Sequence, residues 1–247
     1  MEGFGVMDKV VLITGVSGGI GRATALEFVR RGARVVLGGR NEEAGHELAA
    51  ELGERALFRR TDVTIEADSR ALVALAVETF GRLDIAVNNA ALEARGKIDA
   101  FDEATYTRVF DTNVKGVFFA MKAQVEAMRR TKGGSIVNLS STGGSRGMAG
   151  MSVYVASKHA VEGLSRAAAL DLASDNIRVN VVAPGPTLTP MLDRVTDGHP
   201  EKLAQRVPLG RAGSPEELAR AIVWIASEEA SFVNGAVLPV NGGISAG

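Results

Sequence analysis

Val10-Val11-Leu12-Ile13-Thr14-Gly15-Val16-Ser17-Gly18-Gly19-Ile20-Gly21 is the stretch on which the reading of this chain turns. Its first four residues are continuously apolar, the pattern of a strand buried on both faces. The run breaks into a glycine-rich turn, and helical periodicity follows over Gly21–Arg31. Strand, glycine turn and helix in that order make a cradle for an anion. Glycine lets the backbone approach closely, and the helix N-terminus offers free N–H groups at the positive end of its dipole. The expected anion is the pyrophosphate of a dinucleotide. A nucleotide triphosphatase is disfavoured, because no Gly-x-x-x-x-Gly-Lys-Ser/Thr pattern occurs.

The same alternation continues outward from this turn. Short β-branched runs at Arg34–Leu37, Ala56–Phe58, Ile85–Val87, Ser135–Leu139, Ile177–Val182 and Ala236–Val240 read as further strands. Amphipathic segments at Glu42–Leu52, Ala67–Phe80, Glu103–Arg130, Ser152–Ala173 and Pro215–Ala226 read as helices. Ser214-Pro215-Glu216-Glu217 gives the last of these a capping signal, with Pro at the first helical position. Such alternation implies right-handed crossovers and a parallel sheet covered on both faces. The expected fold is α/β: a single doubly wound, Rossmann-type domain over residues 1–247 with a seven-stranded parallel sheet. Residues 186–211 lack a strand and are rich in proline, and are expected to form a lid over the substrate.

Composition removes several functions. The 28 basic and 29 acidic residues leave a net charge of −1 with no Lys/Arg-rich run, so the footprint of a nucleic-acid binder is missing. With no Cys there is neither disulfide nor thiolate chemistry, and His46, His159 and His199 are not at metal-ligand spacing, so no metal is expected. No apolar run approaches the ~18 residues that span a bilayer. The first residues also lack a signal-peptide pattern, and a cytoplasmic protein is expected.

Tyr154-Val155-Ala156-Ser157-Lys158 puts a phenol and an ammonium four residues apart, on one face of the helix expected there. A nearby cation favours phenolate, which would suit Tyr154 to general acid/base work. Ser140-Ser141 and Asn88-Asn89-Ala90 each follow a strand, where open α/β sheets build their sites. Together the turn at Thr14–Gly21, the Asn-Asn-Ala step, Ser141 and the Tyr-x-x-x-Lys pair resemble the short-chain dehydrogenase/reductase family, in its classical branch. The resemblance runs from Thr14 to Gly243. It implies hydride transfer between a nicotinamide cofactor and a carbonyl or alcohol. Tyr154 would be the proton donor or acceptor, and Ser141 would hold the substrate oxygen. Lys158 would bind the nicotinamide ribose and lower the Tyr pKa. Asn113 would anchor a water-linked relay to Lys158.

For the cofactor, the resemblance implies contacts from Gly15, Ser17, Gly19, Ile20, Gly21, Asp62, Val63, Asn89 and Ala90. Pro184, Gly185, Thr187 and Thr189 would meet the nicotinamide end, together with Tyr154 and Lys158. Gly39 stands where NAD-preferring relatives carry Asp, and Arg40 follows with a guanidinium suited to phosphate. NADP is therefore the expected cofactor, with NAD as the second choice. Two positions depart from the family pattern: Ala91 replaces its Gly, and Asn241 replaces its Asp before Gly242-Gly243. The substrate is expected to be a small carbonyl or alcohol, with Arg95, Lys97 and Arg146 as candidates for meeting an anionic one. A 3-oxoacyl-thioester reductase and a non-catalytic dinucleotide-binding regulator stay open as alternatives. A homotetramer is expected, paired through the helices over Glu103–Arg130 and Ser152–Ala173. Ala160, Gly163, Ala167, Ala168 and Ala169 would permit close helix approach there.

Overall fold

A computed structural model of the chain describes residues 5–246. All seven expected strands form: β1 (Val10–Thr14), β2 (Arg34–Gly39), β3 (Ala56–Arg60), β4 (Ile85–Asn88), β5 (Gly134–Leu139), β6 (Ile177–Pro184) and β7 (Val237–Val240). They make one parallel sheet in the order β3-β2-β1-β4-β5-β6-β7. The order reverses between β1 and β4, so a crevice opens beyond the carboxyl ends of those strands. The edges carry their own protection. Arg59 and Arg60 are exposed on β3, and Pro239 lies in β7, where a missing N–H is tolerated.

Two apolar layers hold the helices on. On one face α1 (Gly19–Arg30), α2 (Glu42–Leu52) and α9 (Pro215–Ala226) bury Phe28, Leu48, Leu218 and Ile222 in one apolar cluster, α1 and α2 over β1, β2 and β3 and α9 over β5 and β6. On the other face α3 (Glu66–Phe80), α5 (Gly116–Arg130) and α6 (Ser152–Asp171) bury Leu72, Met121, Met128 and Val161. Each such side chain contributes roughly 1.5–3 kcal/mol of transfer free energy. The expected cap of α9 is a full capping box: the Glu217 N–H donates to Ser214 Oγ at 3.3 Å and the Ser214 N–H to Glu217 Oε2 at 2.8 Å. The lid segment is short-helical, with α7 (Pro190–Val195) and α8 (Glu201–Ala204).

The helix expected over Glu103–Arg130 is continuous but not uniform. It is α4 (Glu103–Phe110), a π-helical turn over Asp111–Lys115, and then α5. The Gly116 N–H donates to Asp111 O, one residue further back than in an α-helix. A buried polar network beneath the sheet is equally absent from the sequence reading. The Asn88 amide donates to Gln124 Oε1 at 3.1 Å and to Asn138 Oδ1 at 2.8 Å, and the Asn138 amide to Ser165 Oγ at 2.9 Å. Those bonds tie α5 and α6 to β4 and β5 just below the catalytic end. Every member has a partner, so the network fixes registry without leaving a polar group exposed to apolar surroundings.

Candidate active site

Beyond the carboxyl ends of β1 and β4 lies a cavity of about 510 Å³, within the usual range for a small-molecule or cofactor site. Its floor is the glycine turn. Gly15 has φ +74°, and a Cβ there would come within 2.8 Å of the Ala90 Cα. At Gly21 a Cβ would come within 2.3 Å of Gly15 O. The Asn89 amide braces the same turn by donating to Thr14 O at 3.1 Å and Gly15 O at 2.9 Å. Behind it α1 begins with no side-chain cap and no acidic residue in its first turn. The first-turn N–H groups of α1 are therefore available to an anion. These features fit a dinucleotide, whose pyrophosphate needs close backbone and uncapped amides.

Nearly all of the residues expected to hold that cofactor line this one cavity: Gly15, Ser17, Gly19, Ile20, Arg40, Asp62, Val63, Asn89, Ala90, Tyr154, Lys158, Pro184, Gly185, Thr187 and Thr189. Gly21 is the exception. It is buried under the turn, and its lack of a side chain permits packing between α1 and Gly15 rather than ligand contact. Burial raises the Asp62 pKa, but hydrogen bonds from the Thr64 N–H and hydroxyl, with Arg40 and Arg60 nearby, outweigh it and hold the carboxylate low. Thr189 caps α7, its Oγ1 accepting from the Leu192 N–H at 3.3 Å, and its methyl lies where a Cβ on Gly19 would be at 2.8 Å. The lid and the glycine turn thus meet across the cavity.

Ser141, Tyr154 and Lys158 converge at the other end of this cavity. Ser141 follows β5 by two residues and caps a short turn, its Oγ accepting from the Gly143 N–H at 3.1 Å. Tyr154 and Lys158 share one face of α6, and both are buried. The expectation that Lys158 lowers the Tyr154 pKa is not met, for Lys158 is not among the groups that act on the phenol. Burial pushes the phenol up to about 12; the Ser141 hydroxyl pulls the other way, and the Glu93 carboxylate adds to the rise. Burial pushes Lys158 down to about 8. Lys158 Nζ donates to Leu139 O at 2.9 Å and stands 5.7 Å from the centroid of the Tyr154 ring.

Asn113 does not reach the cavity. The extra residue of the π-helical turn carries it inward, where it is fully buried. Its Oδ1 accepts from the Leu92 N–H at 2.7 Å, and its Nδ2 donates to Leu92 O at 2.9 Å and Ser157 Oγ at 3.0 Å. The Asn113 side chain is thus committed to Leu92 and Ser157. Arg95, Lys97 and Arg146 are absent from the cavity wall too: Arg95 pairs with Asp197 at 3.1 Å, and Arg146 donates to Ile244 O. Arg194, which the sequence did not single out, lines it instead, with Met148, Met151, Leu192 and Val195. Leu192, Arg194 and Val195 come from the lid and Met148 and Met151 from the loop between β5 and α6, and spacing alone could not bring these two segments together, because neither has a periodic pattern.

Fold and site define an α/β oxidoreductase built around a nicotinamide dinucleotide. The family model described as "Enoyl-(Acyl carrier protein) reductase" matches residues 15–245. The chain is 43% identical over 244 residues to 2,5-dichloro-2,5-cyclohexadiene-1,4-diol dehydrogenase of Sphingobium indicum, covering 96% of this chain and 97% of that one. It is 41% identical over 246 residues to cyclopentanol dehydrogenase of Comamonas testosteroni, covering 98% of each. A crystal structure of levodione reductase superposes with a TM-score of 0.92 at 35% identity, over 97% of this chain and 98% of that one. The chain belongs to the short-chain dehydrogenase/reductase family. It is an enzyme that transfers hydride between NADP(H) or NAD(H) and a carbonyl or secondary alcohol.

Proposed function

We propose that this enzyme interconverts a secondary alcohol borne on an apolar ring and the corresponding ketone, using NADP(H) in preference to NAD(H), with Tyr154 as general acid/base. The observation that carries this reading is the meeting of Ser141, Tyr154 and Lys158 in one cavity that is also lined by Met148 and Met151 from the loop before α6 and by Leu192 and Val195 from the lid. Those side chains offer apolar surface and few polar anchors, which suits a hydrocarbon ring. The names of the cyclohexadienediol and cyclopentanol dehydrogenases point the same way. When bound, the nicotinamide accepts or supplies the hydride. Ser141 and Tyr154 hold the substrate oxygen, and Tyr154 exchanges its proton. Lys158 would hold the nicotinamide ribose. Asn113 holds α6 through Ser157. A cytoplasmic setting is part of this reading.

A screen of ring alcohols, ring ketones and 3-oxoacyl thioesters, each with NADH/NAD and NADPH/NADP and followed by cofactor absorbance, tests it. Turnover of ring substrates is expected. Turnover confined to acyl thioesters would instead support the reading suggested by the family model's description.

Cofactor preference rests on Arg40. It is exposed at the cavity rim, its charge acts on the nearby Asp62 carboxylate without a hydrogen bond or close ion pair among the described residues, and its guanidinium donors remain available to a 2′-phosphate. Arg40→Ala is expected to weaken NADPH by about ten- to a hundredfold, the usual size of a lost charge-assisted hydrogen bond, and NADH far less. At Gly39 a Cβ would meet nothing closer than 3.8 Å, so Gly39→Asp fits and should swing preference to NADH by repelling the phosphate. Titration of each cofactor by fluorescence checks both. Tight NADH binding with indifference to NADPH in the unmodified protein would reduce Arg40 to a solvated surface group.

The homotetramer is part of the same reading. Gly163 and Ala167 are exposed on α6, and a Cβ on Gly163 would meet nothing within 4 Å. Ala169 corrects the expectation, since it is 1% exposed and packs into the core beneath α6. Phe118 on α5 stays 49% exposed, its ring tilted against that of Phe119 with 6.0 Å between centroids. Light scattering at micromolar concentration should give about four times the 25.8 kDa of the chain, and Ala167→Glu should lower it by placing charge at the contact. A monomeric mass for the unmodified protein would refute the assembly.

A further inference from the structure

Behind the catalytic serine lies a carboxylate that the chemistry above does not use. Glu162 stands on α6 one helical turn beyond Lys158 and is 2% exposed. It does not line the cavity, so it meets neither substrate nor cofactor directly. Both of its oxygens are engaged. Oε1 accepts from Ser140 Oγ at 2.9 Å, and Oε2 accepts from Arg166 Nη2 at 3.1 Å, a guanidinium at the surface. The backbone of Gly144 lies directly over the first of these bonds. A Cβ on Gly144 would collide with both Glu162 Oε1 and Ser140 Oγ.

Ser140 and Ser141 both line the cavity, so the end of β5 delivers two hydroxyls to one site. A hydroxyl has a single proton to give. That of Ser140 goes to Glu162, because a carboxylate is the stronger acceptor and the alternative, Lys158 O, lies at 3.5 Å. Ser141 is held differently. Its Oγ accepts from the Gly143 N–H at 3.1 Å and its O from the Gly144 N–H at 2.9 Å, which leaves its own proton for the oxygens of Tyr154 and the substrate. Both donors belong to the short turn over Thr142–Gly144, and that turn rests on Glu162. The carboxylate therefore takes one serine out of competition and supports the turn that fixes the other.

We propose that Glu162 is a positioning residue, which makes Ser141 rather than Ser140 the donor to the substrate oxygen and holds the turn that aims it. This rests on the reading of Ser141 as the residue that holds that oxygen. Glu162 acts through Ser141, so its loss is felt in turnover. Cofactor binding is spared, since neither the glycine turn nor Lys158 Nζ, which donates to Leu139 O, bonds to Glu162.

The test is a double-mutant cycle between Glu162 and Ser141, read as kcat for cyclohexanol oxidation, with cofactor affinity followed by fluorescence. Ser141→Ala alone should lower kcat by about a hundred- to a thousandfold, the usual cost of one donor to a developing oxyanion. Glu162→Ala alone should lower it by about ten- to a hundredfold, as a small misplacement of a reacting group does, and leave cofactor affinity within about twofold. In the Ser141→Ala background the same Glu162→Ala change should cost less than about twofold, because the hydroxyl it aims has gone. Glu162→Gln keeps an acceptor for Ser140 and should hold turnover within about tenfold of the unmodified enzyme. Its smaller loss should likewise vanish without Ser141, so it carries the cycle if the Ala variant fails to fold. Equal losses in the two backgrounds would overturn the proposal and reduce Glu162 to a packing contact of α6, and so would unchanged turnover in Glu162→Ala. If Ser141→Ala keeps full turnover, the reading of Ser141 fails and this proposal falls with it.

Discussion

Tyr154→Phe is expected to lower kcat by about a thousandfold, within the usual range for a positioned general acid/base, and to leave cofactor affinity within about twofold. The substitution removes one oxygen and keeps the ring. Tyr154 is 7% exposed in α6, so the packing that holds the helix is retained. Its direction with pH is also fixed by the site. With its pKa pushed up to about 12 by burial, the phenol keeps its proton across the neutral range. Carbonyl reduction then finds its acid ready. Alcohol oxidation needs the phenolate and should quicken as pH rises, by up to about tenfold per unit while the phenol stays mostly protonated. Tyr154→Phe should lose that dependence together with turnover. Steady-state rates in both directions from pH 6 to 10 check this; equal turnover for the two proteins would remove Tyr154 from the chemistry.

How much of this was readable beforehand depends on the distance over which each feature is encoded. The strands were legible because Val10–Ile13 and Ile177–Val182 are apolar runs bounded by breakers, and the parallel order followed from their alternation with helices. Tyr154 and Lys158 were legible because helical spacing alone puts them on one face. The π-helical turn was not, since its cause is tertiary: the Asn113 side chain is drawn inward by the Leu92 backbone and Ser157 Oγ. Arg194 and Glu93 lie 101 residues apart and meet only once the lid folds over the loop after β4. The electrostatics of the pair were misjudged for a similar reason. Proximity in sequence suggested that Lys158 would favour phenolate, but burial opposes charge on both groups, and the ammonium turns to Leu139 O.

That buried ammonium leads to the second large effect, in which activity and stability part company. Lys158→Met should abolish most turnover and weaken cofactor binding, since the ammonium is the only charge assigned to the ribose. It should also change how stability depends on pH. Lys158 titrates near 8 in the folded chain against 10.5 when unperturbed. Between those values the unfolded chain binds more protons, so stability rises with pH through the window, and the cost of the buried charge is fully present below pH 8. From pH 8 to 10 the rise is about 2 kcal/mol for a shift of this size. Tyr154 acts in the opposite sense only above pH 10, where its raised pKa makes the unfolded chain ionise first. Denaturant midpoints at pH 8, 9 and 10 therefore isolate the lysine. The unmodified enzyme should gain stability over this interval and the Met variant should lack that gain, whatever the variant pays for leaving Leu139 O without its donor. Parallel curves for the two proteins would mean that Lys158 is hydrated in solution, and its role at the ribose would then have to be judged from cofactor binding alone.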